Sequence, residues 1–501
     1  MAKICLCLTA KTLKRNLEIL DKYRKFADVA ELRVDCLESD ERFRIRSFPE
    51  QAGLPVILAI RRITDGGYYA SGEGSRVKLF AQGLAFANAD RRRNFAYVDI
   101  EDDLDVPSLE EAARTFGTRI IRSYHNIHGV GDNLAGRIRD MKRGDEDLVK
   151  IGVRTNSTED VLRVFQAGRE CADQEKILIC MGQFGVYSRI LTAHFGSYLS
   201  YVSVPSEEDV PKGAESQITI QELAELYRFK NITATTKVYG ALGHSMENVG
   251  NEIFFNTIFG LEDIDAVFAP FPADSFSAFM RLARELNVSG LTVMDEYRND
   301  ALALARESSG EQLAGNCDTL IRSGGGWKGA NAGRSGFFAS LADYAGGKSL
   351  KRKKITVIGT GGMARAVTSQ IHGLGARALI LGRTAREAKE LASVHKFAWG
   401  ALDSRGIEMM AKYHDIIIRA ENSETGAGDP LDMYAFSGDE HIIDLYRESA
   451  HDTFGLRAAQ AGCGIISFHD MLIRQARQQY TLFFDREFPV RHIDKISFGR
   501  S

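Results

Sequence analysis

Short apolar runs alternate with amphipathic stretches over the first 230 residues of the chain. Eight of the runs have the length and the aliphatic, β-branched content of buried strands, and helical patterns fall between most of them. They lie at 3–9, 29–35, 55–61, 95–101, 119–125, 148–154, 176–182 and 199–204. Because strands that alternate with helices form parallel sheets, this pattern predicts a (β/α)8 TIM barrel rather than an open sheet.

Helix start signals support this assignment. Ser108 is followed three residues later by Glu111, and Ser157 by Asp160 in the same way, which is the spacing of a capping box. A last amphipathic stretch at 219–229 closes the series. We therefore expect helices to begin at the two serines and a further helix to end the barrel.

The alternation restarts after 227–237, and another strand–helix series begins near residue 350. The sequence therefore predicts three parts: a barrel at 1–231, an α/β lobe at 234–349, and a Rossmann lobe with a C-terminal helix at 350–501. The predicted fold class is α/β, with a TIM barrel followed by a two-lobed α/β domain.

Composition and charge argue against several classes of function. The 501 residues are 44% hydrophobic and carry a formal net charge of -3, so nothing favours nucleic acid as a partner. Seven cysteines without a CxxC pair favour reduced thiols, and we predict no metal site. No apolar run approaches the roughly 20 residues that span a bilayer, and the N-terminal run is too short for a signal peptide. We expect a soluble, cytoplasmic protein with no membrane partner; a homo-oligomer stays open.

Polar side chains stand at the carboxyl ends of successive predicted strands, where TIM barrels place their chemistry. They are Glu31, Arg33, Arg61, Asp99, Glu101, His125 and Lys150. Each alone has a simple structural explanation: a strand-end histidine is often only hydrogen-bonded, and Glu31 could form an ion pair with Arg33. Because so many ionisable groups at one barrel mouth are hard to explain singly, we favour a shared active site.

Lys150 carries the most specific chemistry, since an ammonium group is costly to place within an apolar strand. Desolvation and neighbouring cations would leave a neutral amine able to attack a carbonyl and form an imine. A histidine with an ordinary pKa of about 6.5 could then remove the adjacent proton and protonate a leaving hydroxyl. Together with arginines for a carboxylate, these residues predict β-elimination of water from a hydroxy-keto acid.

Residues 1–230 resemble the type I 3-dehydroquinate dehydratases of the shikimate pathway, which leads to chorismate and the aromatic amino acids. The matching segments are "ELRVD", "IRRITDGG", "SYH", "VKI", "MGQFGVYSR" and a final Gln-Ile before the last helix. The resemblance implies that Lys150 forms the imine with 3-dehydroquinate, without a cofactor, and that His125 is the general acid/base. It also implies that the substrate's hydroxyls and carboxylate are bound by Glu31, Arg33, Arg61, Arg189 and Gln217.

Two positions depart from the pattern of this family. Asp65 stands where the family has a glutamate, so the carboxylate that orients the histidine would be one methylene shorter. Gly213 replaces a serine in the closing loop. Neither change removes a group on which the mechanism depends.

The segment "ITVIGTGGMARAV" predicts a strand, a glycine turn at Gly359, Gly361 and Gly362, and the start of a helix. Such a turn lets backbone N–H groups meet a pyrophosphate, although glycine turns also occur for purely steric reasons. The following strand ends in Arg383 and Thr384 rather than in an acid, which favours the 2′-phosphate of NADP over NAD. Arg383 could equally be a solvated cation.

Residues 234–501 resemble shikimate dehydrogenase through "GALGHSMEN", "GLTVMDEYR", "GNCDTLIR" and "GTGGMAR". The resemblance implies that NADP(H) and 3-dehydroshikimate or shikimate could bind here. Several functional positions differ: Glu247 replaces a substrate-binding serine, Arg298 the catalytic lysine, Gly333 its partner aspartate, and Asp318 an asparagine. Because arginine stays protonated and glycine has no carboxylate, the acid/base pair is lost.

Three hypotheses follow for the whole chain. The first is a 3-dehydroquinate dehydratase fused to an eroded shikimate-dehydrogenase-like domain, and the second keeps both activities. In the third, the second half is a non-catalytic module that binds a nucleotide or metabolite and regulates or assembles the barrel. NADPH-dependent reduction of 3-dehydroshikimate separates the second hypothesis from the others, and NADP binding without turnover favours the third.

Overall fold

The computed structural model describes residues 1–85, 90–205, 217–245, 250–309, 317–345, 349–421, 430–445 and 453–496. Two positions singled out in the sequence, Gly213 and Glu247, lie outside these ranges. The chain forms two compact units, one of residues 1–301, 320–327 and 491–501 and the other of residues 302–319 and 328–490. Within the described ranges, no helix combines the length and the apolar character needed to span a bilayer.

The first unit begins with an eight-stranded parallel barrel. Its strands are β1 Lys3–Leu8, β2 Val29–Arg33, β3 Val56–Ala59, β4 Tyr97–Glu101, β5 Arg119–Asn126, β6 Leu148–Arg154, β7 Lys176–Met181 and β8 Leu199–Val202. They pair in the order β7-β6-β5-β4-β3-β2-β1-β8. The backbone N–H of Tyr198, just before β8, donates to the carbonyl of Lys176 in β7 at 2.7 Å, so the barrel nearly closes. Each of the eight predicted strands is therefore confirmed.

Helices fill most of the connections between these strands. They are α1 Leu13–Tyr23, α2 Phe48–Ala52, α3 Glu73–Leu84, α4 Pro107–Thr115, α5 Leu134–Met141, α6 Thr158–Glu170 and α7 Val186–Ile190. The predicted cap at Ser157 is confirmed, since its hydroxyl accepts from the backbone N–H of Asp160 at 3.2 Å.

One of the two predicted helix caps is wrong. The helix α4 starts one residue before Ser108, at Pro107, and has no side-chain cap. Proline is favoured at the first helical position because its missing N–H would have no partner there, so Pro107 places Ser108 inside the helix. The further helix expected to end the barrel is present as a short π-helix, Glu222–Leu226.

Inward positions along the strands build the barrel in layers. The lower layer is an apolar cluster of Cys5, Val29, Ile57, Tyr97, Ile121, Leu148, Ile177, Leu199 and Tyr201. Side chains of a strand alternate between its two faces, so the next inward residues of β2, β4 and β6 are Glu31, Asp99 and Lys150. The polar groups therefore rest on an apolar floor, toward the carboxyl ends of the strands.

A second sheet follows the barrel. Its strands are β9 Lys237–Gly243, β10 Ala266–Pro272, β11 Val288–Val293, β12 Thr319–Ser323 and β13 Gly326–Ala330, in the order β10-β9-β11-β12-β13. The accompanying helices are α8 Asn251–Leu261, α9 Phe276–Glu285 and α10 Arg298–Ser309. Strand β9 pairs in parallel with both β10 and β11.

Barrel helices pack on this second sheet within the first compact unit. The side chain of Asp274, after β10, accepts from the backbone N–H of Thr158 at 2.8 Å and from its hydroxyl at 2.6 Å. Thr158 is the first residue of α6, so a carboxylate from the second sheet caps a barrel helix. The buried rings of Tyr187 in α7 and Phe271 in β10 meet edge to face, with centroids 5.2 Å apart.

The third sheet belongs to the second unit. Its strands are β14 Lys354–Ile358, β15 Arg377–Gly382, β16 Ala398–Ala401, β17 Ile416–Arg419, β18 His441–Asp444 and β19 Gly464–Ile466, in the order β16-β15-β14-β17-β18-β19. Its helices are α11 Ala332–Ala345, α12 Gly362–Gly373, α13 Ala385–Ser393, α14 Ser404–Met410, α15 Phe454–Ala461 and α16 Phe468–Phe484. All five strand pairs of this sheet are parallel. Separate apolar clusters form around Val357 and around Ile358, neighbours that point to opposite faces. This is the predicted Rossmann-like sheet, covered on both faces.

Candidate active site in the barrel

One cavity at the carboxyl ends of the barrel strands brings together the seven residues to which the resemblance gave catalytic or substrate-binding roles, whereas Glu101 accepts from Arg76 outside its lining. Its walls include Glu31, Arg33, Arg61, His125, Lys150, Arg189 and Gln217. Cys7, Thr9, Gly152, Ile179, Met181 and Tyr201 complete the lining. Residues that lie up to 210 positions apart in the chain thus meet in one place.

Lys150 lies on β6 between Ser123 of β5 and Ile177 of β7, and its side chain is fully buried. Its Nζ donates to Oδ2 of Asp99 at 2.6 Å and to Oε1 of Glu31 at 3.3 Å. This explains how an apolar strand carries a lysine, because two carboxylates compensate the buried charge.

The charges nearest to Lys150 differ from those expected from the sequence. We expected neighbouring cations, whereas carboxylates contact the amine. Burial raises the pKa of Asp99, but Lys150 and Arg61 outweigh that effect and hold this pKa below its usual value. The Nζ of Lys150 also lies 4.3 Å from the centre of the Tyr201 ring, whose π face attracts a cation. The site is therefore built to hold a positive charge at Nζ.

His125 lies on β5 with both ring nitrogens buried, and neither has a hydrogen-bond partner among the described residues. Burial lowers the pKa of His125 well below its usual value, and the cations Arg61 and Lys150 lower it further. The expectation of an ordinary histidine pKa is therefore wrong. The imidazole is neutral at physiological pH and can accept a proton from a ligand.

Gly152, the neighbour of His125 on β6, leaves the space that the ring uses. A Cβ at this position would lie 3.0 Å from Cδ2 of His125. Asp65, in contrast, does not orient the ring. Its carboxylate accepts from Nε of Arg62 at 2.6 Å. The carboxylate of Asp65 is therefore engaged by Arg62 and not by the histidine.

Arg33 and Glu31 do not form the ion pair that the sequence left open. Arg33 makes two hydrogen bonds to Asp35, from Nε at 2.9 Å and from a terminal nitrogen at 2.7 Å. Arg33 and its hydrogen bonds, with Arg61 nearby, hold the pKa of Asp35 below its usual value despite burial. Arg33 is therefore held rigidly at the cavity wall, while Glu31 contacts Lys150.

Arg189 and Gln217, like His125, carry polar atoms that no described group satisfies. Arg189 is buried, and its Nε and one terminal nitrogen have no partner in the described part of the chain. Burial lowers the pKa of its guanidinium. Gln217 donates to the sulfur of Cys7 at 3.3 Å, but its Oε1 has no partner among the described groups. Buried polar groups usually find partners, so these atoms point to a polar ligand in the cavity.

Sequence reasoning did not assign roles to two residues of this site. Asp99 appeared among the strand-end polar residues, but nothing local marked it as the partner of Lys150. Tyr201 reads as an ordinary aromatic residue of β8, although its buried hydroxyl lacks a partner within the described ranges. The available signal was the alternation along "YVDIE", which places Asp99 on the inward face.

At the predicted cofactor site of the second unit, a carboxylate side chain of the protein itself contacts the glycine turn. Glu421 accepts from the backbone N–H of Thr360 at 2.9 Å, in the middle of the glycine turn. The same carboxylate pairs with Arg383 at 3.3 Å. Thr384 caps α13, since its hydroxyl accepts from the N–H of Glu387 at 3.3 Å. As they stand, these groups do not fit a dinucleotide, because the carboxylate of Glu421 engages a backbone N–H and an arginine that the phosphates of a dinucleotide would need.

The positions that correspond to the dehydrogenase acid/base pair have structural partners. The two oxygens of Asp318 accept from the N–H groups of Ala332 and Gly333, each at 2.7 Å, at the start of α11. In the first unit, Arg298 pairs with Asp295 at 2.6 Å. In the described part of the chain, no group of three or more His, Cys, Asp or Glu side chains is placed to hold a metal ion.

Known protein families match the first half of the chain and part of the second half. A family model described as type I 3-dehydroquinase matches residues 4–234. A model described as shikimate/quinate 5-dehydrogenase matches residues 340–429.

The chain is similar to curated bifunctional proteins and to shorter 3-dehydroquinate dehydratases. The chloroplastic bifunctional 3-dehydroquinate dehydratase/shikimate dehydrogenase of Arabidopsis thaliana is 25% identical over 520 residues, covering 96% of this chain and 81% of the relative. The 3-dehydroquinate dehydratase of Desulfotalea psychrophila is 32% identical over 237 residues, covering 45% of this chain and 96% of the relative. Among solved structures, the dehydroquinate dehydratase and shikimate dehydrogenase from S. pombe AroM is 20% identical, covers 99% of this chain and 98% of that chain, and superposes with a TM-score of 0.43.

Proposed function

This chain belongs to the type I 3-dehydroquinase family, here fused to a shikimate dehydrogenase domain, and we propose that its barrel dehydrates 3-dehydroquinate to 3-dehydroshikimate through an imine on Lys150. The observation that carries the proposal is the buried amine of Lys150 in a cavity that also holds His125 and three arginines. Amine, base and cations are the groups that elimination of water from a hydroxy-keto acid requires.

The reaction begins when Lys150 transfers a proton to one of its two carboxylate partners and the free amine attacks the ketone carbon of the substrate. The proton returns as the former carbonyl oxygen leaves as water, and a protonated imine remains. The protonated imine withdraws electrons and acidifies the adjacent C–H bond. His125 removes this proton, and the electron pair moves to the imine nitrogen to give an enamine. The enamine then expels the β-hydroxyl, which takes the proton from His125 and leaves as water. Hydrolysis of the conjugated imine returns Lys150 and releases the enone.

The surrounding charges support these steps. Asp99 and Glu31 stabilise the positive charge that the imine carries at the nitrogen of Lys150. The substrate carboxylate would compensate Arg189, whose buried donors have no partner among the described groups, with Arg61 beside it in the cavity wall. Gln217 has a carbonyl oxygen left for a substrate hydroxyl. A neutral His125 is in the right state to accept the proton.

Borohydride reduction tests the imine directly. Reduction in the presence of 3-dehydroquinate should leave one stable adduct, which peptide mass spectrometry should assign to Lys150. Lys176 is the matched control, because it is also a buried barrel lysine but donates to the carbonyls of Cys171 and Gln174 at the opposite ends of the strands. Dehydration without an adduct, or an adduct on Lys176, would disprove the proposal.

For the second half we propose that the shikimate dehydrogenase domain does not turn over shikimate with NADP. Arg298 and Gly333 stand where the resemblance calls for the lysine and the aspartate of the acid/base pair. A coupled assay of the whole chain, started with 3-dehydroquinate and NADPH, should show formation of the enone and no oxidation of NADPH. Sustained oxidation of NADPH would instead establish a fully bifunctional enzyme.

A further inference from the structure

We infer that Glu421 is a built-in anion that occupies the glycine turn of the second unit and excludes the phosphates of a dinucleotide. The inference rests on one part of the proposed function, the assignment of this half to a shikimate dehydrogenase domain. It does not depend on the chemistry proposed for the barrel. One carboxylate oxygen accepts from the N–H of Thr360 at 2.9 Å, and the other pairs with Arg383 at 3.3 Å. These are the backbone donor and the cation that a pyrophosphate and a 2′-phosphate would use.

The sheet holds Glu421 in this place. The preceding residue, Ala420, donates its N–H to the carbonyl of Ile358 at 2.8 Å, which continues the β14–β17 ladder to the edge of the turn. The last residue of β17, Arg419, is buried and makes an ion pair with Asp444 of β18. The backbone before Glu421 is therefore fixed by two neighbouring strands.

Gly359 has a steric role in this arrangement. Its φ is +120°, and a Cβ at this position would lie 2.6 Å from Cβ of Glu421. The glycine thus allows the glutamate to approach the turn. This is the steric explanation that the sequence left open, and it accounts for the glycine without any nucleotide.

A dinucleotide faces two obstacles at this turn. Its phosphates would meet the negative charge of Glu421, and repulsion between like charges at contact distance strongly opposes binding. Arg383 would also have to leave its carboxylate partner before it could bind a 2′-phosphate. Because Arg383 is 58% exposed, we expect the charge on the turn to matter more than this partly solvated pair.

Titration of NADPH into the full-length protein, followed by the fluorescence of the nicotinamide, tests the inference without any turnover. Glu421→Gln keeps an oxygen for the N–H of Thr360 but removes the charge. We expect it to bind NADPH at least about tenfold more tightly than the unmodified chain. The matched control is Glu390→Gln, which removes an exposed charge from α13 of the same lobe and should leave NADPH affinity unchanged.

Arg383 supplies a second arm of the experiment. In the unmodified chain, Arg383→Ala should change NADPH binding little, because Glu421 already engages the guanidinium. In the Glu421→Gln background, the same change should weaken binding of NADPH but not of NADH, which has no 2′-phosphate. Equal effects of Arg383→Ala in both backgrounds would show that the two residues are not coupled.

The outcomes are distinct. Tight NADPH binding by the unmodified chain, or no gain from Glu421→Gln, would overturn the inference, as would an equal gain from Glu390→Gln. Dehydration of 3-dehydroquinate, measured on the same samples, should be unaffected by each of these variants. If the unmodified chain does not dehydrate 3-dehydroquinate, that result counts against the proposed barrel function and not against the role of Glu421.

Discussion

The nitrogen of Lys150 lies 2.6 Å from Oδ2 of Asp99, and both groups are almost completely buried. A pair of opposite charges at this depth keeps a cation stable at one defined point of the cavity. The imine proposed on Lys150 would be such a cation. We therefore expect Asp99 to act at the stage of the reaction in which this nitrogen carries positive charge.

We predict that Asp99→Asn lowers the kcat of dehydration by on the order of 10²-fold, because it removes charge stabilisation from the imine. Imine formation itself should persist, so borohydride should still trap an adduct on Lys150. Asp105→Asn is the control, since the side chain of Asp105 is 78% exposed. Unchanged kcat in Asp99→Asn, or complete loss of the adduct, would contradict this role.

Replacement of His125 should separate imine formation from the elimination of water. We expect His125→Ala to slow turnover by about 10²- to 10⁴-fold, the usual contribution of a general acid/base. Mass spectrometry after reduction should still find the adduct on Lys150. His128 stands three residues later but is exposed, so His128→Ala should retain nearly full activity. A larger loss from His128→Ala would reverse the assignment.

The pH dependence of kcat/KM should reflect the buried position of His125. Because burial and nearby cations lower its pKa, the imidazole stays neutral as the pH falls through 6.5, the value of an ordinary histidine. The group is active in its neutral form. The acid limb of the kcat/KM profile should therefore lie below about pH 6.5. An acid limb at or above that pH would show that the histidine is solvated or paired in solution.

Restoring the dehydrogenase pair should fail for a structural reason. In Gly333→Asp, the new Cβ would lie 2.9 Å from Oδ2 of Asp318, which already accepts the N–H groups at the start of α11. We expect the double change Arg298→Lys with Gly333→Asp to give little shikimate oxidation and to lower the melting temperature. Adding Asp318→Asn removes one of the two crowded charges and should recover melting temperature. Strong activity of the double variant would show that the helix start adapts.

The sequence was sufficient for the barrel and for most of its site. A strand with a buried inward face needs apolar residues, so the eight runs were visible, and a lysine within one of them stood out. The pairing of Lys150 with Asp99 was not visible, because the residues are 51 positions apart and only the barrel register aligns them. The lowered pKa of His125 likewise arises from burial within the barrel and from cations that distant parts of the chain supply.

In the second half, the sequence identified the glycine turn but not the side chain that contacts it. The glycine turn was recognised from local spacing, but local spacing cannot report what fills the turn. Glu421 lies 61 residues after Thr360 and belongs to none of the motifs. Its position depends on the parallel pairing of β14 with β17, which is a property of the sheet and not of either segment.

The contacts of Asp274 with Thr158 and of Phe271 with Tyr187 have a consequence for how this chain can change over generations. Tyr187 is two residues from Arg189 on the same short helix, so substitutions at Phe271 should disturb dehydration. Selection for the barrel reaction should therefore preserve Asp274 and Phe271, even while positions that serve only hydride transfer drift. Even if the dehydrogenase activity were lost, the segment that forms the second sheet should be retained, because the barrel helices pack against it.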